Sequence, residues 1–246
     1  MTALGVPRLP SPHPPARGMF LSFEGGEASG KTTQIALLRD HLVHDRKVAA
    51  DLVLTTREPG GTPLGEEIRE LLLHGDHVDP RAEALLYAAD RAEHVTSRIA
   101  PHLERGGMVL ADRYLDSSLA YQGAGRDLDA TQIGALSLWA TDGLMPNRTI
   151  LLDVPPEIID QRRASSSLDR LEKAGREFHR NVRARFLELA EIEPDRFVVI
   201  DAARDRDAVH ADVLAAIAPE LSAFDGSPGL DTDPGHADRS RGRNSR

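Results

Sequence analysis

One eight-residue stretch constrains the fold more than any other part of this 246-residue chain. The sequence GGEASGKT, at residues 25–32, follows an apolar β-prone run and precedes a helical pattern. A strand, a glycine-rich turn and a helix in this order are typical of parallel α/β sheets. Glycines let backbone N–H groups surround a phosphate, and the following helix N-terminus favours anions. The stretch therefore predicts an α/β fold with a phosphate site beyond its first strand.

Five short apolar runs alternate with longer helical patterns. Such runs are typical of parallel strands buried on both faces, and the alternation favours right-handed crossovers with helices on both sides of one sheet. We expect an α/β three-layer sandwich with a five-stranded parallel sheet, and the helix from residue 81 should end before Pro101. The predicted strands are residues 19–23, 51–55, 108–112, 149–153 and 197–201, and the predicted helices are residues 31–43, 65–73, 81–100, 131–141, 156–164, 177–190 and 207–221.

The two ends of the chain differ in composition from the middle. Residues 1–17 contain five prolines and no apolar period, which indicates a disordered or extended arm. Residues 224–246 are rich in Gly, Pro, Asp and Arg, and predict a flexible tail. We expect one folded domain at residues 18–223, with a lid at about residues 162–176.

Composition excludes several classes of function. The chain has no cysteine, which excludes disulfides, thiolate metal sites and cysteine nucleophiles. A formal net charge of -9 gives no general basic surface for polymeric nucleic acid. No apolar run approaches the roughly 18 residues that span a bilayer, and the N-terminus lacks the apolar core of a signal peptide. We therefore expect a cytoplasmic protein with no membrane partner.

The glycine-rich stretch matches G-x-x-x-x-G-K-[ST], the P-loop pattern that binds the phosphates of ATP. Lys31 should reach the β and γ phosphates, and Thr32 should offer its hydroxyl to Mg²⁺. Asp112 ends the third predicted strand and is placed like the acid that holds Mg²⁺ through water, although an ordinary turn aspartate is the alternative. The predicted ATP-binding residues are Gly25, Gly26, Glu27, Ala28, Ser29, Gly30, Lys31 and Thr32.

With these residues in place, the chain resembles the thymidylate kinase (dTMP kinase) family. The resemblance runs from Met19 to about Leu221 and implies a P-loop nucleoside monophosphate kinase fold and a homodimer. It implies transfer of the γ-phosphate of ATP to dTMP, giving dTDP and ADP for dTTP biosynthesis, with Mg²⁺ as cofactor. The motifs, in the family's order, are FEGGEASGKTT at 23–33, TREPGGT at 56–62, YAADRAEH at 87–94, DRYLDSSLAYQG at 112–123 and LDRLE at 168–172.

The resemblance implies three arginines around the acceptor phosphate. Arg57 lies in a loop under the acceptor, where the family often has an unusual bond between Glu58 and Pro59, and a cis bond is compatible with X-Pro. Arg69 matches an arginine near the acceptor phosphate, although a solvated helix charge is the alternative. Arg113 should contact the acceptor phosphate directly.

The resemblance also implies the site of the base and sugar. Tyr87 should stack on thymine, although a plain core residue is the alternative, and Arg91 lies one helical turn away to meet the base edge and phosphate. Ser118 matches a position near the thymine ring, and Gln122 should line the same wall. Tyr121 matches the residue that crowds the 2′ position and disfavours ribose.

The lid should supply cationic help to the transferring phosphoryl group, whose charge spreads over three oxygens. Some family members carry an arginine inside the P-loop, where this chain has Ala28. The candidates are Arg162, Arg163 and Arg170, and Arg170 is favoured because small residues replace other lid arginines of this branch. Together with Lys31, Arg113 and Asp112, Arg170 completes the predicted catalytic set.

Two acids near the phosphate site have separate interpretations. Glu27 corresponds to a family acid that reads the 3′-hydroxyl, and Glu24 is a third candidate metal position beside Thr32 and Asp112. Glu24 could instead be the base of a deoxynucleoside kinase, whose hydroxyl acceptor needs a carboxylate.

Beside these two kinds of kinase, a third interpretation of the chain is a nucleotide-binding switch without a small-molecule acceptor. Such a protein would not require the paired acceptor motifs.

Overall fold

The computed structural model describes residues 10–124, 128–162 and 175–224. Five parallel strands form one sheet in the order β2-β3-β1-β4-β5. Strand β1, which leads into the glycine-rich loop, lies at the centre of the sheet between β3 and β4. This arrangement confirms the predicted α/β sandwich. The strands are β1 Met19–Glu24, β2 Val53–Arg57, β3 Met108–Asp112, β4 Arg148–Asp153 and β5 Phe197–Asp201.

Helices cover both faces of the sheet, because alternate strand residues point to opposite sides. Leu21 and Phe23 face a core that includes Leu38 and Val213, whereas Phe20 faces a second core. The helices are α1 Lys31–Asp40, α2 Pro63–Leu73, α3 Pro80–His94, α4 Ala100–Glu104, α5 Leu115–Ser118, α6 Ala130–Ala140, α7 Pro156–Arg162, α8 Arg176–Ile192, α9 Arg206–Ala216 and α10 Ala218–Ala223. Turns of π-helix extend α1 at His41–Asp45, α3 at Val95–Ile99 and α5 at Leu119–Ala124.

Several predicted boundaries were wrong. Strand β2 begins at Val53, because Ala50–Leu52 form a 3₁₀ turn. The helix that should end before Pro101 continues to Glu104, since a π-helical turn shifts the hydrogen-bonding register just before the proline. The predicted helix at 207–221 is two helices, with the break at Ile217.

Residues 10–17 run beside the domain. The backbone N–H of His13 donates to Gly143 over 2.9 Å, and the N–H of Met145 donates to His13 over 2.8 Å.

The predicted domain limits stay predictions. Within residues 10–124, 128–162 and 175–224, no helix is long and apolar enough to cross a membrane.

Candidate active site

The glycine-rich loop connects the buried end of β1 to the start of α1. Gly25 and Gly30 have φ of 133° and 99°, values that glycine adopts without a Cβ clash. Lys31, the first residue of α1, donates from Nζ to the carbonyl of Gly26 over 2.9 Å. Burial lowers the pKa of Lys31, and nearby Arg113 lowers it further. The ammonium group is thus held inside the loop that should surround the phosphates.

Thr32 and Asp112 meet across the carboxyl ends of two neighbouring strands. The Thr32 hydroxyl donates to Asp112 Oδ2 over 2.9 Å. A hydroxyl and a carboxylate are hard oxygen donors of the kind that Mg²⁺ prefers. The two side chains therefore form a donor set that fits a magnesium ion shared with the phosphates.

A cleft of about 450 Å³ opens beside this loop. Its wall combines the loop with the residues that the sequence predicted for the acceptor. The predicted residues on the wall are Glu27, Ala28, Gly30, Lys31, Thr32, Arg57, Arg69, Tyr87, Arg91, Asp112, Arg113, Ser118, Tyr121 and Gln122.

Two arginines on either side of the loop after β2 line this cleft: Arg57 ends β2, and Arg69 lies on α2. Arg57 pairs with Glu66 over 2.8 Å and is half exposed. Arg69 reaches back from α2 and donates to the carbonyl of Pro59 over 2.9 Å. The peptide bond between Glu58 and Pro59 is cis, as expected. Arg69 is therefore tied to the loop and is not a free solvated charge.

A buried charged network lies beneath this loop. Glu58 accepts from Arg91 Nε over 2.8 Å and contacts His94 Nδ1 at 3.0 Å. The other ring nitrogen of His94 is 2.6 Å from the Thr56 hydroxyl. Asp90 accepts from the N–H of Gly60 over 3.0 Å. Three residues of α3 thus fix the loop from below.

From the sequence, Arg91 was the only residue of this network with a predicted side-chain role. Glu58 was considered only for its peptide bond to Pro59, and His94 and Asp90 had no predicted role. A usable signal was present, because Arg91 and His94 are three apart on one helix and therefore lie on one face. A carboxylate partner two elements away cannot be identified from helical spacing.

Arg113 is held in a strained conformation at the centre of the cleft. Its φ is 71°, which is costly for a residue with a side chain, by roughly 1–3 kcal/mol. Its guanidinium donates to Gly25 over 3.0 Å, to Tyr121 Oη over 3.1 Å and to the carboxylate of Glu27. Glu27 and Tyr121 therefore orient the arginine that was predicted to meet the acceptor phosphate.

Tyr87, Ser118 and Gln122 line a further part of the cleft wall. Tyr87 packs in an apolar cluster with Phe186, which agrees with the core interpretation, whereas its stacking on thymine stays a prediction. Ser118 accepts from Arg91 Nη2 over 3.1 Å. Gln122 donates from Nε2 to Glu83 over 3.1 Å, a partner that the sequence did not indicate.

Glu24 is not on the cleft wall. Its carboxylate is fully buried and accepts from the backbone N–H of Tyr114 over 2.8 Å and from the Ser117 hydroxyl over 2.6 Å. Burial, and then the neighbouring Asp116, raise its pKa to about 8. Both oxygens of Glu24 are thus engaged in holding the segment that carries Arg113.

The lid candidates are only partly within the described residues. Arg162, at the end of α7, donates to the carbonyl of Ala202 over 2.8 Å and of Ala28 over 3.4 Å, so it lies between the P-loop and the loop after β5. Arg163 and Arg170 fall outside the residues that the structure describes.

Comparison with known proteins gives one consistent family. The family model described as thymidylate kinase matches residues 23–213. A thymidylate kinase of Clavibacter sepedonicus is 53% identical over 201 residues, covering 80% of this chain and 93% of the relative. One of Deinococcus radiodurans is 48% identical over 204 residues, covering 82% and 97%. The crystal structure of thymidylate kinase from Ehrlichia chaffeensis is similar, with a TM-score of 0.68, 34% identity, and coverage of 82% of this chain and 99% of that one.

Proposed function

The chain belongs to the thymidylate kinase family, and from that premise we propose that it transfers the γ-phosphate of ATP to dTMP, giving dTDP and ADP. The reaction supplies dTTP biosynthesis. One observation carries the proposal: a single cleft joins the P-loop residues Lys31 and Thr32 to the acceptor candidates Arg57, Tyr87 and Arg113. ATP on the P-loop and dTMP beside the arginines can therefore bind next to each other in this cleft.

The donor half of the mechanism rests on the P-loop. Backbone N–H groups of the loop and the N-terminus of α1 bind the phosphates, and Lys31 places a positive charge against the β and γ groups. Thr32 and Asp112 would hold Mg²⁺, which supplies further positive charge to the phosphate oxygens when bound. Their 2.9 Å contact supports this assignment.

The acceptor half rests on arginines. Arg113, held by Glu27 and Tyr121, binds the acceptor phosphate, while Arg57 approaches it from the end of β2 and Arg69 from α2. These charges screen the repulsion between two phosphates, so that an acceptor oxygen attacks in line. A phosphate monoester is already ionised at neutral pH, so the reaction needs no strong general base.

The placement of Glu24 favours a phosphate acceptor over a hydroxyl acceptor. A base for a deoxynucleoside kinase must reach the hydroxyl that it deprotonates. Glu24 is fully buried, with its oxygens engaged by Tyr114 and Ser117. Its contribution in this proposal is to fix the segment that carries Arg113, and a direct metal role is secondary.

The lid supplies the remaining cation. Arg170 stabilises the charge on the transferring phosphoryl group, with Arg163 as the alternative. Arg162 donates to the carbonyls of Ala28 and Ala202, and its contact with the P-loop supports a role for it on the ATP side. Residues 162–176 act as the lid in this proposal.

We also propose a homodimer. Helices α2 and α3 pack together, as do α3 and α6. These three helices carry large apolar side chains that are unusually exposed: Leu64, Leu71, Leu85 and Trp139, at 47%, 56%, 58% and 69%. An apolar face of this kind is typical of a subunit interface. A cytoplasmic location belongs to the same proposal, since both substrates are intracellular nucleotides.

A coupled ADP-release assay tests the function. Mg²⁺-ATP is supplied with dTMP, dUMP, dCMP, the TMP ribonucleotide, AMP, GMP or thymidine, and each reaction is repeated with excess EDTA. We expect turnover with dTMP far above the others and its loss with EDTA. A preference for thymidine would indicate a nucleoside kinase, and silence with every acceptor would leave only ATP binding, so either result overturns the proposal.

A further inference from the structure

Two buried side chains, Arg91 and Glu83, orient polar groups that line the cleft. The first acts on Ser118, which is 4% exposed and accepts from Arg91 Nη2 over 3.1 Å. A guanidinium carries only donors, so Ser118 must use an oxygen lone pair in this contact. The hydroxyl hydrogen of Ser118 is thereby kept for another partner, and Ser118 lies on the cleft wall.

The second side chain, Glu83, acts on Gln122. Gln122 is 1% exposed, and its Nε2 donates to the carboxyl group of Glu83, which is fully buried on α3. The amide nitrogen of Gln122 therefore faces Glu83. With its nitrogen held by Glu83, the Gln122 side chain keeps its amide oxygen as an acceptor for a ligand in the cleft that it lines.

These two groups lie side by side. Ser118 and Gln122 are four residues apart on the continuous helical segment formed by α5 and its π-helical extension, so they share one face. The wall therefore presents a hydroxyl donor next to an amide acceptor. A pyrimidine with a 4-oxo group and an N3–H has the complementary order of acceptor and donor, whereas cytosine has the reverse.

We propose that Glu83 is a specificity-determining residue, which admits thymine and excludes cytosine by fixing the orientation of the Gln122 amide. This inference rests on the proposed function. Glu83 acts through Gln122 and is a positioning residue. Its effect concerns the polar edge of the base and is independent of the 5-methyl group.

The variant Glu83→Gln tests the proposal. A glutamine at this position offers both a donor and an acceptor, so the Gln122 amide can turn and present its N–H₂ group to the cleft. The ratio of kcat/KM for dTMP to that for dCMP should fall at least about tenfold, because a buried polar mismatch is relieved for cytosine. The ratio of dTMP to dUMP should stay within about twofold, since both bases carry the 4-oxo and N3–H pair.

Glu93→Gln is the matched control, because it makes the same chemical change at an exposed position of the same helix. We expect both ratios to be unchanged in this variant. Circular dichroism shows whether Glu83→Gln folds. If it does not, Glu83→Asp is the second variant, because it keeps the carboxyl group but withdraws it from Gln122 by one methylene. It should also lower the ratio of kcat/KM for dTMP to that for dCMP.

An unchanged dTMP to dCMP ratio in a folded Glu83 variant overturns the inference. An equal change in the dTMP to dUMP ratio also overturns it, because that result indicates a general loosening of the pocket. The wild-type protein separates this inference from the proposed function, because a failure of the wild type to phosphorylate dTMP refutes the function itself.

Discussion

Arg91 Nε donates to Glu58 Oε2 over 2.8 Å, and each of these side chains is only 2% exposed. The pair links α3 to the loop that holds Arg57, and His94 contacts the same carboxylate from one turn further along α3. A charge buried this completely needs its partner, since an unpaired ion in the interior is strongly destabilising.

Glu58→Gln should lower the free energy of unfolding by about 3 kcal/mol, because Arg91 keeps its hydrogen bond but loses its counter-ion. Urea unfolding at pH 7.5 measures the change. Glu66→Gln is the matched control: it removes the partner of Arg57 at the same 2.8 Å distance, but its side chain is 52% exposed. The control should change stability by less than about 1 kcal/mol. Equal effects in both variants would show that burial of the pair is unimportant.

Lys31→Ala should reduce kcat with dTMP by about a thousandfold, because the variant lacks the positive charge that stabilises the β and γ phosphates in the transition state. The circular dichroism spectrum should stay that of the wild type. Lys47→Ala removes an exposed lysine outside the cleft and should leave kcat unchanged. Near-normal turnover of Lys31→Ala would remove this residue from the mechanism.

Asp90 should make stability depend on pH. Burial, and then the charge of Glu58, raise the pKa of Asp90 from its ordinary 3.8 to about 6, and His94 and Arg91 also face it. The protonated form stabilises the fold, so its contribution is complete below pH 3.8 and is lost as pH rises to about 6.

The variant Asp90→Asn stays neutral throughout this range. It should match the wild type near pH 4 and exceed its free energy of unfolding by roughly 2 kcal/mol at pH 7.5. Denaturant curves at several pH values measure the difference. Asp76→Asn, the control, changes an exposed carboxylate. Its free energy of unfolding should change with pH in parallel with that of the wild type. A parallel curve for Asp90→Asn would contradict the assigned titration.

Tyr121 should discriminate deoxyribose from ribose through its ring. The ring lies 6.0 Å and 6.2 Å, between centroids, from Phe178 and Phe186, and its hydroxyl accepts from Arg113. Tyr121→Ala should lower the kcat/KM ratio of dTMP to its ribonucleotide by about tenfold. Tyr121→Phe keeps the ring and should preserve that ratio within about twofold. A loss of selectivity in the phenylalanine variant would assign the discrimination to the hydroxyl.

If the proposed homodimer forms, Trp139→Lys should convert it to a monomer, because the change places a charge among the exposed apolar side chains of α2, α3 and α6. Sedimentation equilibrium measures the mass. The control is Ile192→Lys, since Ile192 at the end of α8 is exposed by 68%, almost the same as the 69% of Trp139. A wild-type monomer, or a dimer that survives the Trp139 change, would refute the proposed interface.

The sequence determined the elements of this protein whose signals are local. Residues 25–32 predicted the phosphate loop, since strand, glycines, lysine and helix are adjacent in the chain. Four of the five predicted strands agree with the structure to within one residue, and β2 differs by two. Apolar runs persist through a buried strand, whereas a 3₁₀ turn such as Ala50–Leu52 has no period to mark it.

The tertiary structure decided which side chains act together. Glu83 and Gln122 are 39 residues apart, and Glu58 and His94 are 36 apart, yet each pair is in hydrogen-bonding contact. No local period can identify a buried partner on another element, because only packing brings the two side chains to one place. The motifs thus predicted residues that line one cleft, while their buried partners became visible only in the folded chain.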